Sequence, residues 1–394
     1  MWTIRKISEV LNSPCALKDC KIDQIQFDSR IASDTDCFIA IDKGHDYLKS
    51  TKAAITIGER DADIIVPHSQ EALNQLALYS RSQTNAKIIA ITGSVGKTST
   101  KHFLYQLLRQ VYPDVVASEK SFNNHLGVPL TLCRLTPSTP VGIFEVGANN
   151  PGEISALTKM VQPDIALITN ISEAHIGQYP NGLQGILNEK FSIADYLKGP
   201  LLIAPDVPKK REAIVANLDL LKEIDTISLP EHHRSNVALV LEVLKLLNID
   251  KATLDFSVLT VGEGRGTVSD ISLSHNQKIT ILDHTYNAPF LGVKAALTEL
   301  ASFNKRRKIA VLGDMGELGD HEEQFHQQVL DHARHLNIDM ILPYGKIFSS
   351  LMKREQATLE EIETSLQNDD VLLLKGARFE KMENIIKQLK KRCS

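Results

Sequence analysis

The stretch Lys87 to Thr100, KIIAITGSVGKTST, is the part of the sequence that decides the fold. An apolar, β-branched run ends at Gly93, and Gly96 is followed at once by Lys97 and Thr98. Such a run is typical of a buried parallel strand, and the two glycines let backbone N–H groups turn toward an anion at the start of a helix. The spacing predicts a phosphate-binding loop, with Lys97 on the outer phosphates and the Thr98 hydroxyl on magnesium. The full loop pattern has a further glycine at a position that is isoleucine here, so the alternative is a chance glycine turn.

The composition is that of an ordinary soluble enzyme. With 394 residues, 43% of them hydrophobic and 23% charged, the chain can bury more than one core, and two or three domains are expected. No apolar run approaches the roughly 20 residues that span a bilayer, and the first residues lack the apolar segment of a signal peptide. We therefore predict a cytoplasmic protein with no membrane span. A net charge of -4 gives no reason to expect nucleic acid as a partner. The five cysteines are scattered and odd in number, which favours reduced thiols: Cys15, Cys20, Cys37, Cys133 and Cys393.

Apolar runs divide the sequence into three segments. Residues 1–85 combine short apolar runs with one helical pattern, Ser69 to Ser82, and predict a small α/β unit. Residues 86–262 alternate apolar strands with helical stretches, which predicts a parallel sheet covered by helices. After the glycine-rich loop Gly262 to Gly266 the alternation restarts, and a second doubly wound domain is predicted over 263–394. The strands predicted after the first are Val141 to Val146, Asp164 to Thr169, Pro200 to Pro205, Lys278 to Asp283, Lys308 to Asp314, Met340 to Gly345 and Val371 to Gly376.

Polar residues follow the predicted strands of the middle segment. Glu145 lies at the end of the second strand, and Asn170, Glu173 and His175 follow the third. Ligands of open parallel sheets bind beyond the carboxyl ends of the strands. A carboxylate and an imidazole beside a phosphate loop can hold magnesium against a triphosphate. Taken singly, His175 could be an ordinary surface or core histidine and Glu145 a solvated glutamate. Their occurrence together at neighbouring strand ends, beside the phosphate loop, favours a functional site.

Six blocks of sequence resemble the Mur ligases, and they run in family order from about residue 27 to the C-terminus. The string GDMGELG, within the fifth block, is the most diagnostic of them. The blocks are SFNNHLGVPLTL (Ser121 to Leu132), FEVGANNPGEI (Phe144 to Ile154), ITNISEAHIGQY (Ile168 to Tyr179), LDHTYNAP (Leu282 to Pro289), VLGDMGELGDHEEQFH (Val311 to His326) and LLKGARFEKME (Leu373 to Glu383).

The resemblance implies an α/β fold with the three-domain Mur ligase architecture. The N-terminal unit would bind a nucleotide-sugar substrate, the central domain would be a parallel sheet with the phosphate loop, and the C-terminal domain would be Rossmann-like and bring the amine. The implied reaction phosphorylates a carboxylate with ATP and lets an amine attack the acyl phosphate. The branch most similar to the chain joins D-alanyl-D-alanine to UDP-N-acetylmuramoyl-tripeptide in peptidoglycan synthesis, and a monomer is expected. A paralogue that amidates another carboxylate, or a family member that binds nucleotide without catalysis, remains the alternative.

The resemblance also implies roles for individual residues. Lys97, Glu145, His175 and Lys190 would be catalytic, and Lys190 would be carbamylated by carbon dioxide. Magnesium would be held by Thr98, Glu145, His175 and the carbamate of Lys190, because a carbamate turns a repelling cation into an anionic ligand. The implied ATP contacts are Gly93, Ser94, Val95, Gly96, Lys97, Thr98, Ser99, Arg265 and Asp283. The implied substrate contacts are Asp28, Ser29, Arg30, Asn123, Asn124, Asn287, Lys375 and Arg378.

The chain also departs from the family pattern. The N-terminal loop that reads Gly-Glu-Asn-Phe-Asp-Gly-His in the family is cut to Asp42 to Asp46, which affects the uridine pocket. Several dozen residues are missing between Ala204 and Leu229. His233 stands where the family has the asparagine that reads adenine, so altered adenine selectivity is expected. Asn150 replaces the usual histidine after Gly-Ala-Asn, and the Tyr-Asn-Ala turn lacks the asparagine that normally precedes its proline.

Overall fold

Four β-sheets organise the chain, and the computed structural model describes residues 2–224, 230–273, 277–304 and 306–392. The largest two sheets follow one another along the sequence, with helices packed on their faces. The fold is therefore α/β, as the alternation of strands and helical stretches predicts.

The first unit is a small parallel sheet with a helix before it and another after it. Its elements are β1 (Trp2–Thr3), α1 (Ile4–Leu11), β2 (Lys21–Ile22), β3 (Ile25–Gln26), β4 (Cys37–Ile39), β5 (Ile55–Gly58), β6 (Ile64–Ile65) and α2 (Ser69–Ser82). Strands β1 and β2 form an antiparallel pair, and β3 to β6 form a parallel sheet in sequence order. Helix α2 has the bounds that its periodicity predicts.

The central unit is an entirely parallel, six-stranded sheet. Its elements are β7 (Lys87–Thr92), α3 (Lys97–Leu108), β8 (Val116–Ala117), α4 (Gly127–Leu132), β9 (Val141–Glu145), α5 (Glu153–Val161), β10 (Ile165–Ile168), α6 (Gly182–Phe191), β11 (Leu201–Ile203), β12 (Ile214–Val215) and α7 (Arg234–Leu246). The strand order is β12-β11-β10-β7-β9-β8. Strands β7, β9 and β10 are buried on both faces, which explains their continuous apolar sequences. Their carboxyl ends meet at one edge of the sheet, where the predicted site residues follow.

The third unit is a five-stranded sheet of mixed direction. Its elements are β13 (Thr267–Ser272), β14 (Lys278–Asp283), α8 (Phe290–Ala301), β15 (Lys308–Leu312), α9 (Glu322–His335), β16 (Met340–Pro343), α10 (Lys346–Met352), α11 (Leu359–Ser365), β17 (Val371–Lys375) and α12 (Glu383–Arg392). The order is β13-β14-β17-β15-β16, and β13 runs antiparallel to β14 while the other pairs are parallel.

Strand β13 departs from the doubly wound pattern that the sequence predicts. Its sequence, TVSDIS, is mostly polar, and only Ile271 is buried. An edge strand that is exposed along most of its length needs no apolar run, so its sequence gives no strand signal. The structure places it directly after the glycine-rich loop, where it covers the edge of β14.

The first and central units share one apolar core. The cluster extends from Trp2 and α2 through the central strands to α7. The Trp2 indole N–H donates to the carbonyl of Cys133 at 2.9 Å, and Gln70 Nε2 donates to the carbonyl of His125 at 2.9 Å. The first unit therefore lies close to the loop that carries Asn123 and Asn124.

The cysteines within the described residues are free thiols, namely Cys15, Cys20, Cys37 and Cys133. Burial raises the pKa of the Cys37 thiol and of the Cys133 thiol, which keeps both protonated. Cys393 lies outside the described residues. No helix in the described ranges is long and apolar enough to cross a membrane.

Candidate active site

The phosphate loop has the backbone shape that its glycines predict. Gly93 and Gly96 have φ angles of +148° and +86°, which side-chain-bearing residues rarely adopt. A Cβ atom at Gly96 would lie 2.7 Å from Oδ1 of Asn236, a residue of α7. Helix α3 begins at Lys97, whose Nζ donates to the carbonyls of Gly93 at 2.6 Å and Ser94 at 3.2 Å. The lysine thus lies within the loop at a helix N-terminus, the arrangement that binds phosphate.

Glu145 is the centre of a buried polar cluster beside the loop. Its side chain is 1% exposed, and its Oε2 accepts from the Thr98 hydroxyl at 2.8 Å. Its Oε1 accepts from Asn123 Nδ2 at 2.8 Å. Lys101, one turn after Lys97 on α3, forms an ion pair with Oε2 at 3.2 Å and also donates to the carbonyl of Lys120. The carboxylate is therefore fixed by three neighbours within reach of the phosphate loop.

The oxygen atoms of Thr98 and Glu145 suit magnesium. Mg²⁺ prefers hard oxygen ligands, keeps several waters and commonly binds one or two carboxylates together with substrate phosphates. Within the described ranges, no group of three or more His, Cys, Asp or Glu side chains is arranged to hold a metal ion by itself. A cation at this position would need the phosphates of a nucleotide to complete its coordination.

Lys190 lies in α6 and is 3% exposed. Burial, followed by the charge of Lys97, lowers the pKa of its ammonium group from 10.5 to about 7. The adjacent Glu189 points away to cap α5, since its carboxylate accepts from the N–H groups of Gly152 at 2.6 Å and Ile154 at 2.8 Å. Two lysines that repel each other beside a phosphate loop fit a site in which one of them loses its positive charge.

His175 connects the central unit with the third unit. It follows β10 with a left-handed φ of +62°, and its Nδ1 pairs with Oε2 of Glu317. Close to this pair, the N–H of Gly177 donates to the carbonyl of Glu317 at 3.4 Å. In this conformation the imidazole is engaged by the GDMGELG loop. Its predicted role toward a second metal stays a prediction.

Arg265 reaches from the glycine-rich loop to the central unit. Its guanidinium donates to the Ser121 hydroxyl at 2.9 Å and lies 3.9 Å from the ring centre of Tyr286. Arg378 approaches the same ring at 5.7 Å. A tyrosine between two guanidinium groups gains cation–π stabilisation. The hydrogen bond to Ser121 links the loop at 262–266 to the central unit, and the contact with Tyr286 links it to the rest of the third unit.

The site lies in a cavity of about 560 Å³ between the central and third units. The central unit contributes the loop from Ser94 to Ser99, together with Asn123, Glu145 and His175, and the third unit contributes Arg265, Asn287, Lys375 and Arg378. A neighbouring cavity of about 1130 Å³ shares Thr98, Ser121, Arg265, Tyr286 and Arg378 with the first and is also lined by Asp283. The structure therefore brings most of the predicted site residues to one place, from segments far apart in sequence.

Several predicted site residues lie elsewhere or have other partners in this conformation. Arg30 forms an ion pair with Asp28 at 2.6 Å on the surface of the first unit, where Ser29 also lies. Asn124 accepts from the N–H of Gly127 at 3.0 Å and so supports the start of α4. The residues that line neither cavity are Asp28, Ser29, Arg30, Gly93, Asn124 and Lys190.

The cavity also contains a cluster of three histidines, of which the sequence analysis considered only His233; His233 and His284 are buried and His232 is partly buried. His284 Nε2 lies 2.9 Å from Glu299 Oε2, and His232 Nδ1 lies 3.7 Å from the same oxygen. Burial lowers the pKa of His232 to about 4 and that of His233 to about 3, so both are neutral near pH 7. The His233 ring packs against Phe103, and its Nδ1 lies 3.3 Å from Nδ2 of Asn236. The altered adenine selectivity expected from His233 stays a prediction.

Other residues of the site were also missed, and some left a signal in the sequence. Lys101 is one helical turn from Lys97, so helical periodicity places both on one face of α3. Glu317 lies inside the GDMGELG string. The contacts of Ser121 and Tyr286 with Arg265 left no such signal, because they join positions more than 20 residues apart.

Comparison with known proteins agrees with this geometry. The family model of the Mur ligase middle domain matches residues 91–263, and that of the Mur ligase glutamate ligase domain matches residues 271–378. Together the two matches include more than two thirds of the chain.

Curated relatives match over nearly their full length. The chain is 28% identical to a UDP-N-acetylmuramoyl-tripeptide--D-alanyl-D-alanine ligase from Rickettsia prowazekii, over 98% of this chain and 99% of the relative. It is also 28% identical to the ligase of that name from Escherichia coli, over 98% of both chains. The Rickettsia alignment runs over 452 residues, more than the 394 of this chain, which agrees with the predicted trimming.

Solved structures show the same architecture. A MurF crystal structure from Acinetobacter baumannii matches with a TM-score of 0.82 and 26% identity, over 99% of both chains. A MurF ligase structure from Thermotoga maritima, in complex with ADP, matches with a TM-score of 0.72 and 21% identity, over 94% of this chain and 97% of that one, and supports the fold alone. The three-domain architecture, the phosphate loop on the central parallel sheet and the two matching domain models lead to one conclusion: the chain belongs to the Mur ligase family.

Proposed function

We propose that this protein is an ATP-dependent, ADP-forming ligase that joins D-alanyl-D-alanine to UDP-N-acetylmuramoyl-tripeptide in peptidoglycan synthesis. The observation that carries the proposal is one cavity in which Lys97, Thr98 and Glu145 of the central unit face Asn287 and Lys375 of the third unit. Relatives that bear this name match the chain over 98% of its length, which supports the choice of substrates.

The proposed reaction has two steps. A carboxylate oxygen of the acid substrate attacks the terminal phosphorus of ATP, which forms an acyl phosphate and releases ADP. The amine nitrogen then attacks the acyl carbon, and the tetrahedral intermediate collapses to an amide and phosphate. Lys97 and the backbone N–H groups of the phosphate loop stabilise negative charge on the phosphates, where a positioned charge acts most strongly. Arg265 is the residue of the third unit that we propose to contact these phosphates.

Magnesium and a carbamylated Lys190 are part of the proposal. When bound, magnesium neutralises charge on the transferring phosphoryl group. Thr98 and Glu145 would hold it, with His175 and the carbamate of Lys190 toward a second ion. The lowered pKa of Lys190, about 7, supports carbamylation because carbon dioxide reacts with the uncharged amine. Lys190 is buried, whereas a lysine with no role beyond the surface of a helix would be exposed to water.

The proposed substrate division assigns residues 1–85 to the nucleotide-sugar substrate, 86–262 to ATP and 263–394 to the amine. Asp28, Ser29 and Arg30 would contact the first of these. The shortened loop, Asp42 to Asp46, lies in a 3-10 helix over Asp42–Tyr47. Because this loop is shorter than the family pattern, the uridine contacts are expected to differ from those of longer family members. We propose that the protein acts in the cytoplasm, where ATP is supplied. We also propose that it acts as a monomer.

A paralogue that amidates a different carboxylate is the second candidate, and the shortened loop, Asp42 to Asp46, is the observation that favours it. A non-catalytic nucleotide-binding protein is disfavoured, because nucleotide binding alone has no need for a buried lysine that can carry a carbamate, the role proposed for Lys190.

Phosphate release tests the proposal and separates the candidates. The purified protein is given ATP, Mg²⁺, UDP-N-acetylmuramoyl-tripeptide and D-alanyl-D-alanine, and each component is omitted in turn. We expect phosphate and a new amide only with all four present. Turnover with another acid in place of the tripeptide would identify a paralogue. No turnover with a panel of acids and amines would reject the ligase function.

A further inference from the structure

One buried lysine of the cavity belongs to the third unit. Lys375 is the last residue of β17 and is 5% exposed. It lines the same cavity as the phosphate loop, from the third unit, next to Asn287 and Gly292. The proposed function places the amine substrate on this side.

The position of the Lys375 nitrogen is set by two backbone carbonyls. Its Nζ donates to the carbonyl of Asn287 at 2.8 Å and to that of His284 at 3.5 Å. An uncharged amine has two N–H bonds and one lone pair. The two carbonyls can take both N–H bonds, which leaves the lone pair of the neutral form free to accept a proton.

The surroundings favour the neutral form. Burial is the largest cause, and the positive charge of Arg265 adds to it, while Glu299 and Asp283 act in the opposite direction. The pKa of Lys375 falls from 10.5 to about 7 as a result. The pKa values of the neighbouring His284 and His232 are lowered as well, so both imidazoles are neutral near pH 7.

We propose that Lys375 is the general base that removes a proton from the incoming ammonium group of the amine substrate. This inference rests on the ligase function proposed above, and it names the residue that activates the nucleophile. One N–H bond of the ammonium breaks and a new N–H bond forms on Lys375 Nζ. The freed electron pair of the substrate nitrogen attacks the acyl carbon. Phosphate leaves with the electrons of the C–O bond and takes a second proton from the nitrogen, which leaves a neutral amide, and the lysine later returns its own proton to solvent.

Two simpler roles make different predictions. A lysine that anchors a substrate carboxylate acts through its positive charge, so arginine would serve nearly as well. If Lys375 only supports the turn at Asn287, its replacement would slow every reaction of the enzyme equally. A general base must be able to lose its proton, which arginine does not do in proteins.

The test uses the full chain with Lys375→Met and Lys375→Arg, and Lys278→Met as a control, since Lys278 is an exposed lysine of the same sheet. Each protein is assayed with ATP and the acid substrate, first with D-alanyl-D-alanine and then with hydroxylamine. Hydroxylamine is mostly uncharged at neutral pH, so it traps the acyl phosphate without a base. Thermal melting confirms that each variant is folded.

We expect both Lys375 variants to lose amide formation by about 100-fold or more, the range of general base catalysis, and to keep hydroxamate formation within a few fold. In the unaltered enzyme the ratio of amide formation to hydroxamate formation should fall as the pH drops below about 7, because only amide formation needs the unprotonated Lys375. Amide formation retained by Lys375→Arg would overturn the inference in favour of an anchor. An equal loss of both reactions would overturn it in favour of a structural role. If the unaltered enzyme gives no hydroxamate, acyl phosphate is not formed and the proposed function itself fails.

Discussion

Carbamylation of Lys190 can be tested directly, because its burial changes the chemistry of its amine. The pKa of Lys190 is lowered from 10.5 to about 7, chiefly by burial and next by the charge of Lys97. At pH 7.5 an exposed lysine is about 0.1% neutral, whereas a group with a pKa of about 7 is about 75% neutral. The amine that reacts with carbon dioxide is thus several hundred times more abundant at Lys190 than at a surface lysine.

The carbamate can be removed in two ways, by excluding carbon dioxide or by the change Lys190→Ala. Protein supplied with ¹³C-bicarbonate should show a carbamate signal in the ¹³C NMR spectrum that is absent from Lys190→Ala. Lys209→Ala, at an exposed lysine, is the matched control and should keep the signal. Phosphate release should fall by about 100-fold or more in Lys190→Ala, the cost of losing one charged group that acts on a transferring phosphoryl group.

The direction of the pH dependence follows from the lowered pKa of Lys190. Below about pH 7 the amine is protonated and cannot hold carbon dioxide, so the carbamate and the activity should both be lost as the pH falls through that value. Above it, both should level off. Full phosphate release by Lys190→Ala, or by the unaltered protein in carefully decarbonated buffer without any ¹³C signal, would refute the reasoning.

Three further predictions concern the loop and the closure of the cavity. Lys97→Ala should lower ATP-dependent amide formation by about 100-fold or more without a change in the circular dichroism spectrum, and normal turnover would reject the phosphate-loop assignment. Gly96→Ala should weaken ATP binding in calorimetry and destabilise the fold by about 1 kcal/mol or more, because φ is +86° and the new Cβ would lie 2.7 Å from Asn236; unchanged binding and melting would contradict this. Small-angle scattering with an ATP analogue, Mg²⁺ and both substrates should show compaction relative to the free protein, and Glu317→Gln should reduce it by weakening the pair with His175. An unchanged envelope under saturating ligands, together with turnover by the 86–262 fragment, would show that the third unit is not part of the active site.

Much of the architecture was predictable from local sequence. The bounds of α2 and β14 agree with their predicted ranges, and the other predicted strands differ by one to three residues at their ends. This is because a strand buried on both faces needs a continuous apolar run, whose length can be read directly. Short or polar strands such as β13 gave no such signal, since their pairing partners and not their own residues stabilise them.

The sequence by itself determined the phosphate loop, because Gly93, Gly96, Lys97 and Thr98 are neighbours in the chain and their spacing alone specifies the turn and the helix start. Only the tertiary structure decided which residues meet across the cavity. The pairing of His175 with Glu317 joins the central and third units, so it depends on how their sheets are placed relative to one another. The contacts of Arg265 and Arg378 with Tyr286 join residues of the third unit that are separated in sequence. The pKa values of Lys190 and Lys375 were likewise beyond the sequence, because burial is their largest cause and burial exists only once the surrounding units have packed.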